Sequence, residues 1–485
     1  MSISTTIKSI QDTMRKDAGV DGDAQRISQL VWMIFLKVFD AREQEYELLE
    51  DNYKSPIPEG LRWRNWATDS EGITGDALLD FVDHALFKTL KDLRTTATDP
   101  RGQMIGKVFE DAYNYMKNGT LIRQVINKLN EIDFNKKEQK KQFSQIYEKI
   151  LQDLQSAGNA GEYYTPRAVT KFIVDRIKPQ LGEIVLDPAC GTGGFLTATI
   201  DYIRQHFQSA DVPQILQRTI CGTEKKPLPY NLCITNLILH GIDIPAAEHD
   251  NTLARPLRDY SPQERVDVII TNPPFGGMEE DGIEDNFPAT FRTRETADLF
   301  LVLIANLLKQ GGRGAIVLPD GTLFGEGVKT RIKEKLLQDC NLHTIVRLPN
   351  GVFNPYTGIK TNLLFFTKGE PTETIWYYEH PYPGGYKSYS KTKPIRFEEF
   401  APEQEWWDKR EENEFAWKVT ITDLKANNYN LDIKNPHQVD VAQADLDEML
   451  AEYHKLMGEL GDVRGKLKFE LMSALNDQVN QTIES

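Results

Sequence analysis

Apolar positions along this chain repeat with two different periods, and the change between them falls near residue 155. Up to that point the sequence is polar, free of strand alternation and helical in rhythm. Ile27, Leu30, Val31, Ile34, Phe35, Val38 and Phe39 recur at steps of three and four, which puts one broad apolar face on a helix and predicts the core stripe of an α-helical domain over 1–155. Between about 160 and 370 short apolar runs alternate with helical stretches. Strands are expected at 183–186, 218–224, 266–271, 314–318, 344–348 and 361–367, with helices at 196–203, 297–309 and 327–338. That alternation predicts a doubly wound α/β sheet over 156–370. An irregular α/β extension follows over 371–437, and then a C-terminal helix over 438–485. There Leu446, Leu450, Tyr453, Leu456, Leu460, Val463 and Leu467 form a seam that suits a partner helix or internal packing. Gly458, Gly461 and Gly465 weaken it as an independent helix.

One strand end carries distinctive chemistry. The run 266–271 stops at Asn272-Pro273-Pro274-Phe275, a pattern that ordinary residue frequencies place in about one chain of this length in a hundred or fewer. Two prolines remove two N–H donors, fix φ and restrict the residues before them, so the turn is stiff and rich in acceptors. The Asn272 side-chain oxygen and the Pro273 carbonyl can both accept from one planar NH₂ while Phe275 stacks on the ring that bears it. Accepting both hydrogens favours a tetrahedral nitrogen with an available lone pair, which is preorganisation for attack. The following segment, 278–294, mixes Gly, Pro and charge and is expected to be a mobile loop able to order over a substrate.

A second strand, 183–186, runs into Asp187-Pro188-Ala189-Cys190-Gly191-Thr192-Gly193-Gly194 and then a helix. Glycines there permit positive φ and let a ligand approach the backbone at the C-terminal end of a parallel strand. No Gly-Lys-Ser/Thr follows, so it is not a phosphate loop. Glu224, at the end of the next expected strand, suits two ribose hydroxyls, and Asp250 can accept from an adenine amine. In sequence they describe one nucleoside-binding edge. Cys190 is better explained as a small buried side chain than as a nucleophile.

These motifs resemble an S-adenosylmethionine-dependent amino-methyltransferase acting on DNA, and more closely the modification subunit of Type I restriction-modification systems. The resemblance covers most of the chain, including Pro383-Gly384-Gly385-Tyr386 and Tyr429-Asn430-Leu431-Asp432. It implies a Rossmann-like class I methyltransferase sheet, preceded by an α-helical N-terminal domain and followed by a C-terminal helical tail. It further implies that Glu162, Tyr163, Tyr164, Thr165, Pro166 and Arg167 touch the cofactor, with Asp187 and the turn Gly191, Thr192, Gly193 and Gly194 near the methionine moiety. Glu224 would lie at the ribose and Asp250 at the cofactor adenine, while Asn272 to Phe275 would grip a flipped target adenine in double-stranded DNA. Asn at the first motif position with Phe at the fourth favours adenine N6 over cytosine N4. Transfer to cytosine N4, RNA or a protein amide, and a non-catalytic scaffold, are the alternatives. No metal is called for.

Composition narrows the setting. No eighteen-residue apolar run or secretory leader is visible, 299–308 is too short to span a bilayer, and the cysteines at 190, 221, 233 and 340 form no CxxC pair. A reduced cytoplasmic protein is expected. About twenty residues separate Asp250 from Asn272 and roughly 115 follow Lys368, so neither gap holds a large target-recognition domain. The resemblance accordingly implies a separate specificity subunit, two modification chains to each, and a restriction subunit. With 72 acids against 57 basic residues the net charge is −15, which predicts weak DNA binding by the chain alone. Three basic groups suit either local DNA contact or a solvated face: Lys136, Lys137, Lys140 and Lys141; Lys329, Arg331, Lys333 and Lys335; and Lys387, Lys391, Lys393 and Arg396.

Overall fold

Alternating burial along the central strands builds a sheet covered on both faces. In β4 (Val266–Thr271), Val268 and Ile270 join one core while Ile269 joins the other; in β5 (Leu308–Pro319), Ala315 and Val317 separate in the same way from Ile316 and Leu318. Side chains two apart share a face, so such runs need packing on both sides. The computed structural model describes residues 3–134, 147, 164–437, 453–458, 460–461 and 463–468. The expected lysine cluster at 136–141 lies outside them, as do Leu446 and Leu450.

Nine strands form one sheet in the order β3-β2-β1-β4-β5-β7-β6-β8-β9. The remaining strands are β1 (Val185–Asp187), β2 (Ile220–Glu224), β3 (Ala246–His249), β6 (Cys340–Leu348), β7 (Thr361–Lys368), β8 (Thr374–Glu379) and β9 (Ala416–Thr420). The first five neighbours are parallel, and β7 inserts antiparallel between β5 and β6. The sheet therefore continues past residue 370, through β8 and β9. Two expected strands begin later than their patterns: β1 starts at Val185, and helix Val212–Thr219 occupies 218 and 219, so β2 begins only at Ile220.

Residues 3–130 contain helices and no strand. The stripe from Ile27 to Phe39 is buried on the 27-residue helix Asp23–Leu49, and Trp32, Met33 and Leu36 are buried as well, so the middle of this helix is covered all round. It packs against helix Pro227–Leu239 of the α/β region. Arg42 bonds Asp243, and Asn231 Nδ2 donates to Val108 O at 2.9 Å. No helix among the described residues is long and apolar enough to cross a membrane. Residues 434–485 form a separate unit, in which the described seam positions Tyr453, Leu456, Leu460, Val463 and Leu467 are helical and exposed.

Candidate active site

Strand order reverses between β1 and β4, and open α/β sheets bind ligands in the crevice beyond the strand ends at that switch point. The two ends are tied together: Thr271 Oγ1, at the end of β4, donates to Asp187 Oδ1, at the end of β1, at 2.7 Å. After β1 the chain turns at Gly191 (φ +53°) and Gly193 (φ +78°) and enters helix Gly194–His206. A Cβ at Gly193 would stand 2.9 Å from Cys233 Sγ as well as in a strained conformation. Arg167 Nη1 donates to Gly194 O, and Asn236 Nδ2 donates to Thr192 O, so the turn is held from both sides.

A cavity of about 210 Å³ opens above this junction, between the glycine turn, Glu224 to Lys226, Asn272 and the Gly277–Glu279 segment. Asn272 is fixed there by donation from its Nδ2 to Thr165 Oγ1 at 2.9 Å. That bond decides which way the amide faces. Its Oδ1 is buried with no hydrogen-bond partner among the described residues, an acceptor kept open beside the cavity. Next to it, Tyr164, Pro273, Pro274, Phe275, Phe353 and Tyr356 line a narrow cleft, and the Phe353 ring meets Phe275 edge-on at 5.6 Å.

Two acids, Asp187 and Glu224, stand on the strand-end side of the cavity, whose lining also includes Lys225, Lys226 and Glu279. Asp187 is buried, and desolvation pushes its carboxyl up to about 7 against the opposing donation from Thr271 and the Ala189 N–H, with nearby Glu224 adding to the rise. Glu224 is buried too; its two oxygens accept from Gly191 N at 2.9 Å and Lys226 N at 2.7 Å, so one carboxylate braces both the glycine turn and the next loop. Cys190 Sγ lies 3.8 Å from Cys233 Sγ; that contact and burial raise its thiol well above the ordinary range, as suits packing rather than nucleophilic attack.

The geometry therefore brings Thr165, Asp187, Gly191, Gly194, Glu224, Asn272 and Pro274 to one cavity, and Tyr164, Pro273 and Phe275 to the adjoining cleft. Pro166 and Arg167 stand behind the glycine turn at the start of helix Arg167–Ile177. Glu162 and Tyr163 lie outside the described residues. Asp250 is exposed and does not line the cavity; its carboxylate accepts from the Asn251 N–H at 2.7 Å. The sequence reading missed Glu279, which is buried inside the expected loop. Its carboxylate accepts from Thr296 Oγ1, Asn251 Nδ2 and Lys225 Nζ, and its N–H donates to Arg294 O. The 278–294 segment is thereby folded against the cavity as a series of short turns. Phe353 and Tyr356 were missed as well; a glycine followed by two aromatics around Asn354-Pro355 was the available signal.

The basic group on helix Val328–Asp339 corrects its sequence reading. Lys329 pairs with Glu295 and Asp298, Arg331 donates to Thr290 O and Lys335 pairs with Asp339. Lys333 is buried with its ammonium on Leu323 O and Gly325 O, and burial lowers it to about 8. Lys329 and Lys333 are thus engaged within the fold, while Arg331 and Lys335 are exposed, as the solvated-face alternative expects.

Comparison with known proteins agrees with this arrangement. Residues 138–445 match the N-6 DNA methylase family and residues 3–129 match the HsdM N-terminal domain. The chain is 61% identical, over 98% of its length and 99% of the relative's, to the EcoEI methylase subunit of a Type I restriction enzyme from Escherichia coli. Among solved structures it resembles a modification subunit of a type I restriction enzyme from Vibrio vulnificus YJ016, with TM-score 0.82 and 43% identity, covering 91% of this chain and 98% of that one. It also resembles a chain from a type I restriction-modification system solved to explain complex assembly and conformational transition, with TM-score 0.81 and 36% identity, covering 97% and 98%. The sheet is that of the class I methyltransferases. With its open Asn272 acceptor at the end of β4, the chain belongs to the N-6 DNA methylase family, as an adenine-specific methylase subunit of a Type I restriction-modification system.

Proposed function

We propose that this chain transfers the methyl group of S-adenosylmethionine to N6 of an adenine turned out of double-stranded DNA. It works in a complex where a separate specificity subunit reads the site, two copies of this chain attend each specificity subunit, and a restriction subunit joins them. The observation that carries the reading is the Asn272 amide: held by Thr165, it leaves one buried oxygen without a partner beside the glycine-turn cavity.

The cavity residues suit the cofactor. Asp187 and Glu224 offer negative charge to a cationic ligand and acceptors to its hydroxyls, and Gly191 at the cavity wall lets the ligand come close to the backbone. Bound there, S-adenosylmethionine supplies a methyl group activated by a positively charged sulfur. Asn272 Oδ1 and the Pro273 carbonyl accept the two hydrogens of the adenine amine, which draws its nitrogen toward a tetrahedral form with a directed lone pair. Phe275, backed edge-on by Phe353, stacks on the base, a contact worth about 1–3 kcal/mol for a base out of its stack. Glu279 closes the cavity by linking Asn251, Lys225 and Thr296, which limits water near the reacting atoms.

The deciding experiment is transfer of labelled methyl from S-adenosylmethionine to plasmid DNA, by the chain alone and with its specificity partner, followed by nucleoside analysis. N6-methyladenine formed only with the partner is expected. Bound cofactor without transfer in either case, or label in another acceptor, refutes the reading.

A further inference from the structure

The chain carries 72 acids in 485 residues, yet the two segments that meet beside the amine cleft, 349–360 and 380–397, contain none. The first carries Phe353 and Tyr356 into the cleft; the second packs as a strap against the outside of that loop. Tyr382 OH donates to Asn350 O at 3.0 Å, and Asn354 Nδ2 donates to Tyr389 O at 2.9 Å. At Gly351 (φ +83°) the approach is so close that a Cβ would stand 2.5 Å from Ser388 Oγ and 2.6 Å from Tyr389 O. Tyr389 is the buried anchor, its hydroxyl donating to Glu399 at 2.6 Å with His380 on its other side. The strap is thus fixed to the loop that walls the cleft.

Its outward residues have a different character. Lys387, Lys391 and Lys393 are exposed, and none is paired with a carboxylate among the described residues. The backbone pairing of Ser390 with Lys393 holds a tight turn between two of them, and Lys393 Nζ sits 5.1 Å from the Tyr386 ring. This contrasts with the lysines of helix Val328–Asp339, each of which meets a carboxylate or backbone carbonyls. A base that enters the cleft stays bonded to its own strand, so its flanking phosphates must come to rest at the cleft's rim. Exposed ammonium groups without carboxylate partners, on an acid-free strap packed against the loop that walls the cleft, match a polyanion with closely spaced charges.

We propose that Lys387, Lys391 and Lys393 grip the backbone phosphates of the DNA strand that delivers the target base. This rests on the proposed function and adds a contact surface to it. The grip reads no sequence; it positions the strand and contributes to affinity on any DNA.

The test uses the assembled complex with its specificity partner, comparing wild type with the K387Q/K391Q/K393Q variant on DNA with and without the recognition site. Each phosphate contact contributes about 0.9 to the slope of log affinity against log salt on duplex DNA, so loss of three lowers that slope by roughly 2–3. KM for DNA is expected to rise at moderate salt, with S-adenosylmethionine affinity and the ratio of specific to nonspecific binding unchanged. An unchanged slope overturns the inference. Failure of the variant to assemble with the specificity subunit also overturns it, making the strap a protein interface. The slope is measurable whether or not methyl transfer occurs, so absence of N6-methyladenine from the wild-type complex counts against the proposed function and leaves this comparison readable.

Discussion

Asp187→Asn separates the charge of the buried carboxyl from its hydrogen bonds. Both donors, Thr271 Oγ1 and the Ala189 N–H, bond the same oxygen, Oδ1, so an amide with its oxygen in that place keeps both and loses only the charge. The native carboxyl holds its proton up to about 7, against an ordinary value of 3.8. Between these limits the folded chain binds a proton that the unfolded chain has released. This carboxyl's contribution to ligand-free stability is therefore most favourable below about pH 3.8 and is lost as pH rises to 7. At about 1.4 kcal/mol per pH unit, this raised carboxyl costs the native state roughly 1.5 kcal/mol at pH 5, where it must take up a proton, and up to roughly 4 kcal/mol at pH 8, where it is ionised while buried. Asp187→Asn should accordingly stabilise the ligand-free protein more at pH 8 than at pH 5, read by denaturant titration at both. A cationic ligand draws on the same charge, so wild-type affinity for S-adenosylmethionine should rise with pH through 7, while the variant binds more weakly and without that rise in calorimetry. Equal stability effects at the two pH values, or a variant whose cofactor affinity matches wild type, would refute the reasoning.

Asn272→Ala is expected to lower kcat by about 10²–10³ or more, as for loss of a preorganised transition-state partner, with cofactor affinity nearly intact by calorimetry; an equal loss of cofactor affinity would remove the assigned role. Thr165→Val leaves the Asn272 Nδ2 unpaired and its amide free to turn, so kcat should fall by about tenfold with KM little changed, reflecting loss of about one hydrogen bond. Phe275→Ala should weaken capture of the target base by about 1–3 kcal/mol, measured with 2-aminopurine at the target position, and leave cofactor binding alone. Glu279→Ala breaks the link among Asn251, Lys225 and Thr296 and should raise KM for the cofactor and expose 278–294 to protease; unchanged proteolysis would argue against its closing role.

Much of this was legible because it depends on local rules. The stiffness of Asn272-Pro273-Pro274 follows from proline itself, and the strand before it shows itself by apolar continuity, since both faces of β4 are covered. What escaped depends on distant contacts. The start of β2 moved because Leu216 and Thr219 are buried in a helix that runs directly into the strand. Lys333 looked like one more charge on a polar helix, and only the carbonyls of Leu323 and Gly325 make its burial tolerable. Glu279 lay in a segment of mixed charge with no periodicity, and its three partners come from residues 225, 251 and 296. Asp250 had the right spacing, and its side chain lies exposed at the surface, where Oδ1 accepts from the Asn251 N–H.

Helix Pro227–Leu239 belongs to two environments at once. Asn231 and Leu232 receive the helical region, through Val108 O and the Tyr147 hydroxyl, while Cys233 and Asn236 press on the glycine turn. A rigid rod with a neighbour at each side acts as a lever. Anything that binds the helical region and tilts this rod changes cofactor affinity by some factor, and thermodynamic reciprocity requires the cofactor to change that partner's affinity by the same factor.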